Sequence, residues 1–419
     1  MPKLTRICML SVHGHLDPVP VLGATDTGGQ VTYVLELSRA LAELGVAVDI
    51  YTRRFGERSE MAPMDSGVRV IRIPCGGNDF IRKEDLFPHL DEFAENAAAH
   101  IETHGHRYDL IHSHYWDAGY VGMKLADRMG LPFIFTAHSL GAWKQEQMRG
   151  DSQEMERLFR FAQRIRWENV IFRRATAQTV TTLDEKDTYR RLYGFESDDL
   201  VVIPPGVDVR RFRPEPAPGT RMVSTPDEFV FALSRIDSNK GLGDLIRGFD
   251  RVRRGSNAQL VIGGGSKNPE PHEIDVKKSL VELIDALSLR DRVTFAGYIP
   301  DEELGSYYRN ARVFVLPSKY EPFGMTVLEA MACGTPVVAT RHGGLRHVLT
   351  HRRDGVLVDP SDVTELSSAI LEVLNDRPFA ERLGKAGRRL VEERFSWQSI
   401  ASQTLSFYEK YTPDRRESL

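Results

Sequence analysis

The sequence predicts an α/β protein made of two doubly wound, Rossmann-like domains facing a cleft. Three observations carry this reading. Short β-branched runs alternate with amphipathic helical patterns, the alternation restarts after Asp227, and a proline- and glycine-rich stretch separates the two series. A chain of 419 residues also exceeds what one core usually supports.

In the first series, Ile7–Ser11, Val48–Thr52, Val68–Ile73, Leu110–His114, Phe133–Ala137, Gln178–Thr182 and Val201–Ile203 read as buried strands, with helical patterns such as Tyr33–Leu44 and Glu92–His104 between them. In the second, strands are expected at Phe229–Leu233, Gln259–Ile262, Val293–Phe295, Val313–Leu316, Val337–Ala339 and Gly355–Val358. Helices at Leu242–Arg253, Ile274–Leu287, Asp301–Asn310 and Leu328–Cys333 separate them. Pro204, Pro205, Gly206, Pro214, Pro216, Pro218 and Gly219 crowd the junction. The expected division is a domain at 1–206, a linker at 207–226, a domain at 227–395 and a terminal helical segment at 396–419. Within the last, Trp397–Tyr411 reads as an amphipathic helix able to pack on either domain. Strand carboxyl ends should face the cleft, where such sheets bind ligands, and hinge closure is the expected motion.

Composition narrows the classes. The 41% hydrophobic and 27% charged content is that of a soluble globular protein, and a net charge of -4 argues against coating nucleic acid or an anionic membrane. Cys8, Cys75 and Cys333 are widely spaced in apolar or glycine-rich settings and suggest packing rather than disulfides or zinc. Lys3 and Arg6 precede only a strand-length apolar run, and no stretch approaches a membrane span. A cytoplasmic location is expected.

The most telling stretch is Glu321-Pro-Phe-Gly-Met-Thr-Val-Leu-Glu329. A carboxylate before the glycine turn can grip sugar hydroxyls, and the N–H groups of Gly324, Met325 and Thr326, opening a helix, can receive a diphosphate. Glu329 then comes within reach of a ribose. The plain alternative is a surface turn leading into an ordinary helix. Ser234-Arg-Ile-Asp-Ser-Asn-Lys-Gly241 leaves a strand with Arg235 and Lys240 able to bracket a diphosphate. Gly263–Ser266 and His342–Leu345 offer further close backbone approaches. No Asp-x-Asp pair occurs, so neither a divalent-metal clamp nor any other cofactor is expected, and Arg235, Lys240 and helix dipoles must neutralise the diphosphate.

In the first half, Gly23–Gln30 joins the first strand to a helix starting near Val31, and Gly28 and Gly29 free the backbone to approach an anion. His112 and His114 alternate onto one face of a strand. No third ligand stands near, so they read as cleft-lining groups or as internally satisfied histidines. Phe135–Gly141 places His138 at a strand's carboxyl end, where it can bond a sugar hydroxyl or present its carbonyl to a developing positive charge. Lys83, Lys144, Arg164 and Arg166 are cations suited to a phosphomonoester if they converge, and otherwise a solvated basic surface.

Taken together, these motifs resemble the two-domain, retaining nucleotide-sugar glycosyltransferases, the GT-B family that includes sucrose synthase and sucrose-phosphate synthase. Asp26–Gln30, the Thr136–Gly141 loop, Arg235 with Lys240, and Glu321 with Glu329 carry the resemblance, which covers essentially the whole chain. It implies that the first domain binds the acceptor and the second the nucleotide sugar. Catalytic roles fall to His138, Arg235, Lys240 and Glu321, and donor binding to Gly28, Gly29, Gly324, Met325, Thr326 and Glu329.

Arg72–Gly76, Ile81–Glu84, His138–Lys144 and Arg164–Glu168 are similar to enzymes of the family that glycosylate fructose 6-phosphate. The similarity assigns the acceptor to Gln30, Lys83, Ser139, Lys144, Arg164 and Arg166. Two such enzymes compete: sucrose-phosphate synthase with UDP-glucose and mannosylfructose-phosphate synthase with GDP-mannose. Leu22–Asp26, Asp49–Phe55, Ala142–Lys144 and His342–Leu345 are more similar to the second, and Gly297–Glu303 departs from the histidine-rich segment of the plant sucrose enzymes. The implied reaction is hexosyl transfer with retention to fructose 6-phosphate, with a separate phosphatase acting on the product. A nucleotide-sugar 2-epimerase, an enzyme using unphosphorylated fructose and a non-catalytic sugar-nucleotide sensor are the rival readings.

Overall fold

The computed structural model describes residues 4–18, 29–65, 67–148, 151–216, 223–266 and 269–412. The chain divides into two compact units, Met1–Gly206 with Ile400–Leu419, and Val207–Ser399.

The first unit is built on β1 (Arg6–Leu10), β2 (Ala47–Arg54), β3 (Met61–Asp65), β4 (Val68–Pro74), β5 (Leu110–His114), β6 (Phe133–Thr136), β7 (Ala177–Val180) and β8 (Leu200–Val202). Their order is β3-β4-β2-β1-β5-β6-β7-β8, parallel throughout except for the antiparallel β3–β4 pair. Helices cover both faces of the central strands, so every residue of β5 is buried and its sequence shows no in–out alternation. β3 escaped the sequence reading for a physical reason. It lies at the sheet edge, its side chains stay largely accessible, and it contains Pro63, which an edge strand tolerates because no neighbour needs that N–H.

The second unit carries β9 (Phe229–Leu233), β10 (Gln259–Gly263), β11 (Val293–Gly297), β12 (Val313–Leu316), β13 (Val337–Thr340) and β14 (Val356–Val358), all parallel in the order β11-β10-β9-β12-β13-β14. The two-residue period of β9 divides its side chains between two cores. Val230 and Ala232 pack with Leu245, Ile246 and Phe249 on one face. Phe229 and Phe231 pack with Tyr308, Phe314 and Met331 on the other.

Helix boundaries follow local chemistry. Thr182 caps the helix Leu183–Tyr193 by accepting from Glu185 N at 3.1 Å, and Asp362 caps Val363–Asn375 by accepting from Thr364 N and Glu365 N. The final helix ends at Tyr408, short of the expected Tyr411, and from Ile400 onward the chain belongs to the first unit. There His112 Nδ1 meets Tyr408 Oη at 2.5 Å, and Tyr411 Oη donates to Asp199 at 2.7 Å. From Val207 on, the described part of the proline-rich stretch is tied into the second unit: Val207 N donates to Phe395 O and Arg388 donates to Phe212 O. Pro218 and Gly219 lie outside the described residues. Among those described, no helix is long and apolar enough to cross a membrane.

Phe231 is fully buried among Phe229, Tyr307, Tyr308 and Phe314. Phe231→Ala should therefore destabilise the second unit by about 3–5 kcal/mol. Urea unfolding checks this, and an unchanged midpoint would remove Phe231 from the core.

Candidate active site

Parallel strands point the same way, so the segments leaving them gather along one edge of each sheet. In both sheets the order reverses beside the first strand: β1 lies between β2 and β5, and β9 between β10 and β12. Loops leaving a sheet at such a reversal diverge and leave a crevice.

At this edge of the first unit, Gly29 begins the helix Gly29–Glu43 and is exposed, with Gln30 beside it. Gln30 Nε2 donates to Ser11 Oγ at 3.1 Å and to His114 O at 3.3 Å, joining the ends of β1 and β5. Asp26 and Gly28 lie outside the described residues. Two non-glycine residues here have left-handed backbones, Tyr115 (φ 78) and His138 (φ 56), a costly conformation that concentrates where side chains must be aimed. His138 Nε2 lies 2.8 Å from His114 Nδ1, with the Tyr33 ring edge-on at 4.9 Å. Burial lowers the pKa of His138 to about 3 and holds that of His114 well below the ordinary imidazole value, so both rings are neutral at pH 7. His112 is internal: its nitrogens are engaged by Tyr408 Oη and, at 2.8 Å, by Thr136 Oγ1.

The cations expected to hold a phosphate divide into two kinds. Arg164 is buried; its Nε donates to Glu168 at 2.8 Å and its Nη2 to Ser139 O at 2.6 Å, and its plane lies over the Tyr115 ring. The buried Glu168 also accepts from Gly141 N at 3.0 Å and from Tyr193 Oη. This pair holds the loop after β6 that carries His138. Arg166, two positions on along the same helix, faces another way, is exposed and lies by Trp167. The helix thus does not bring Arg164 and Arg166 together. Lys144 Nζ stands 4.7 Å over the Phe159 ring and Lys83 Nζ 3.6 Å from Glu84.

At the edge of the second unit, Arg235 follows β9 and is exposed. Lys240 Nζ donates to Glu321 Oε2 at 3.0 Å, an oxygen that also accepts from Ser318 Oγ at 3.1 Å. Both charged side chains are mostly buried, 15% and 14% exposed, so their pairing is screened far less than a surface pair. Two glycines allow this. Gly241 has φ 66, and a Cβ there would sit 1.8 Å from Pro317 O, so only glycine lets the β9 loop lie against the exit of β12. Gly343 has φ 100, and a Cβ would fall 2.2 Å from Glu321 O. Glu321 N donates to His342 O and Glu321 O accepts from Gly344 N, which fixes the carboxylate's backbone.

Gly324 is the N-cap of the helix Met325–Ala332, and no side chain caps that end. The helix geometry leaves the first-turn N–H groups of Met325 and Thr326 without intrahelical acceptors. Further along, Glu329 accepts from Tyr308 Oη at 2.7 Å. Burial pushes its pKa up to about 7, against the opposing effects of that hydrogen bond and of Arg211.

Three polar groups went unsingled in the sequence. His13 Nδ1 and Asp117 Oδ2 form a buried pair at 2.7 Å, the His13 ring packs on Tyr115 at 4.7 Å, and Ser318 supports Glu321. For His13 and Asp117 a signal existed: each closely follows a strand, and those strands, β1 and β5, are neighbours at the reversal.

Comparison with known proteins agrees with this architecture. The profile described as glycosyl transferases group 1 matches residues 222–390, Glycosyltransferase Family 4 matches 27–211, and the sucrose synthase first GT-B domain matches 1–51. Mannosylfructose-phosphate synthase of Agrobacterium fabrum is 42% identical over 98% of this chain and 92% of its own. D-inositol 3-phosphate glycosyltransferase of Corynebacterium diphtheriae is 34% identical over 96% and 94%. Among solved structures, sucrose-phosphate synthase from Thermosynechococcus elongatus superposes with a TM-score of 0.78 at 33% identity, covering 97% of this chain and 98% of that one. The chain therefore belongs to the GT-B glycosyltransferases, in the family that includes the mannosylfructose-phosphate and sucrose-phosphate synthases.

Proposed function

We propose that this enzyme transfers a mannosyl group from GDP-mannose to fructose 6-phosphate with retention at the anomeric carbon, releasing GDP and a phosphorylated non-reducing disaccharide. The observation that carries the reading is the Lys240–Glu321 pair at the strand-order reversal of the second sheet, with Arg235 exposed on the same loop as Lys240. In this reading Glu321 serves sugar hydroxyls, Lys240 and Arg235 serve a diphosphate, and the uncapped helix start at Gly324, shortly after Glu321, offers further N–H donors. The 42% identity to a mannosylfructose-phosphate synthase supports the choice of donor and acceptor. UDP-glucose is the second reading, favoured by the 33% identity to a solved sucrose-phosphate synthase.

In this scheme the donor diphosphate draws Lys240 away from Glu321 and joins Arg235 and the N–H groups of Gly324, Met325 and Thr326. Glu321, relieved of its partner, accepts from hydroxyls of the transferring sugar, and Glu329 accepts from the ribose. Gly29 is assigned to donor binding, and His138 supports the sugar through its neutral ring or its carbonyl. Gln30, Ser139, Lys83, Lys144 and Arg166 receive the acceptor. Arg164 acts through Ser139 as a positioning residue, since its guanidinium is engaged by Glu168 and the Ser139 carbonyl. Transfer runs on one face: the glycosidic C–O bond opens, the leaving phosphate oxygen takes the proton of the acceptor hydroxyl, and that hydroxyl's oxygen bonds the anomeric carbon from the same side.

Incubation of each donor, GDP-mannose or UDP-glucose, with fructose 6-phosphate or D-inositol 3-phosphate tests the proposal by the nucleotide and phosphorylated product released. Turnover should be highest with GDP-mannose and fructose 6-phosphate. Preference for the inositol phosphate, or an epimerised donor without acceptor, would overturn it.

Lys240→Ala should lower kcat about 10²–10³-fold, because its charge matters most as the diphosphate departs. A rise in acceptor KM alone would remove it from that role. Glu329 provides a pH test. A carboxyl whose folded pKa is raised favours the fold while protonated, and that contribution is lost as pH climbs through about 7. Ribose hydroxyls donating to Glu329 favour the ionised form, so GDP should bind about tenfold more tightly near pH 8 than near pH 6. Calorimetry on wild type and Glu329→Gln checks this: the variant should show a flat profile, and a matching slope in both would exclude Glu329 as the cause.

A further inference from the structure

A second polar cluster lies in the first unit, and none of its residues belongs to the candidate site. His100 and His104 stand one turn apart on the helix Leu90–Thr103 and its C-cap, with ring centroids stacked at 4.1 Å. Glu60, just before β3, reaches them, and His100 Nε2 lies 3.7 Å from its Oε1. One ligand atom from each of the three residues lies within 4.8 Å of the others. The backbone of Glu60 is anchored, since its carbonyl accepts from Arg72 N at 2.6 Å.

Hydrogen bonds fix the protons of both rings. Asp49 is gripped by Arg6 and Arg69 and accepts from Tyr108 Oη at 2.9 Å. Tyr108 gives its only proton to Asp49, so at 3.0 Å it must accept from Tyr51. Tyr51, having donated, accepts from His100 Nδ1 at 3.2 Å. The proton of neutral His100 is therefore on Nδ1, and its Nε2 turns a lone pair toward Glu60. His104 Nδ1 is 2.9 Å from the carbonyl of His100, an oxygen that can only accept, so His104 likewise carries its proton on Nδ1 and keeps Nε2 bare.

A carboxylate and two imidazole lone pairs thus gather with no proton between them. Glu60 and His104 are exposed and His100 is half-buried, so an ion arriving from solvent finds three converging lone-pair donors. We propose that Glu60, His100 and His104 form a binding site for a divalent transition-metal ion of the zinc type, with a fourth position open to water. Two imidazoles with one carboxylate suit zinc better than magnesium or calcium. A tetrahedral zinc site sets its ligand atoms about 3.3–3.5 Å apart, so binding would contract the 3.7 Å between His100 Nε2 and Glu60 Oε1 and draw in the rest of a cluster that spans up to 4.8 Å. The Asp49–Tyr108–Tyr51 relay supplies the outer hydrogen bond that metal-bound histidines ordinarily have. Arg69 stands close by, with Nη2 3.4 Å from His106 Nε2, and shares the Asp49 carboxylate with Arg6. The bound ion would fasten the start of the edge strand β3 to the helix behind the sheet.

The test is calorimetric titration of zinc chloride into chelator-treated, tag-free protein, with thermal melts beside it. One saturable site per chain is expected, with a zinc-dependent rise in Tm. Tyr51→Phe should weaken binding about tenfold and His104→Ala more, while melts without metal show that His104→Ala still folds. Absence of a saturable site, or affinity unchanged in both His104→Ala and Glu60→Gln, would overturn the proposal.

Discussion

Parallel pairing is the constraint on which the molecule depends. A strand that must run beside its predecessor in the same direction forces the chain to cross back over the sheet each time, and each crossing starts at the same edge. The turn residues can vary without disturbing the hydrogen-bonded ladder. In the second sheet this frees the exits of β9 and β12 to carry Lys240 and Glu321, while Val230 and Phe231 stay in register with Val313 and Phe314.

The ion pair at that edge has two states to serve. Empty, each partner neutralises the other in a setting where a lone buried charge would be costly. Loaded, in the proposed scheme, both find better partners in the substrate, so the resting pair prepays part of the desolvation that binding requires. On the first unit, Glu168 and Arg164 are satisfied internally and hold a loop whose His138 backbone is strained. Fixing a strained turn by a buried charge pair is a way to aim a side chain without placing that pair in contact with the ligand.

Much of this was legible beforehand. The buried parallel strands stood out because both faces are covered and β-branched runs are unbroken, and the Glu321–Glu329 segment stood out because a glycine turn interrupts an apolar pattern. Edge strand β3 was not legible, since Met61–Asp65 is short, lacks a β-branched or aromatic residue and carries Pro63. The fate of Arg164 was equally hidden. Sequence spacing shows that Arg164 and Arg166 share a helix, but only packing shows that one is internal and the other exposed. The His13–Asp117 pair is long-range in sequence, and such pairings become visible only once β1 and β5 are known to be neighbours.

The return of Ile400–Leu419 to the first unit has a consequence for biosynthesis. Tyr408, fully buried and bonded to His112, follows the whole second unit in the chain. Val207–Ser399 is contiguous and emerges whole, whereas the amino-terminal unit waits for synthesis to pass the second unit before it receives Tyr408. Maturation of the first unit is thereby tied to synthesis of the second, and a chain released before Tyr408 keeps a histidine-lined gap where that tyrosine belongs.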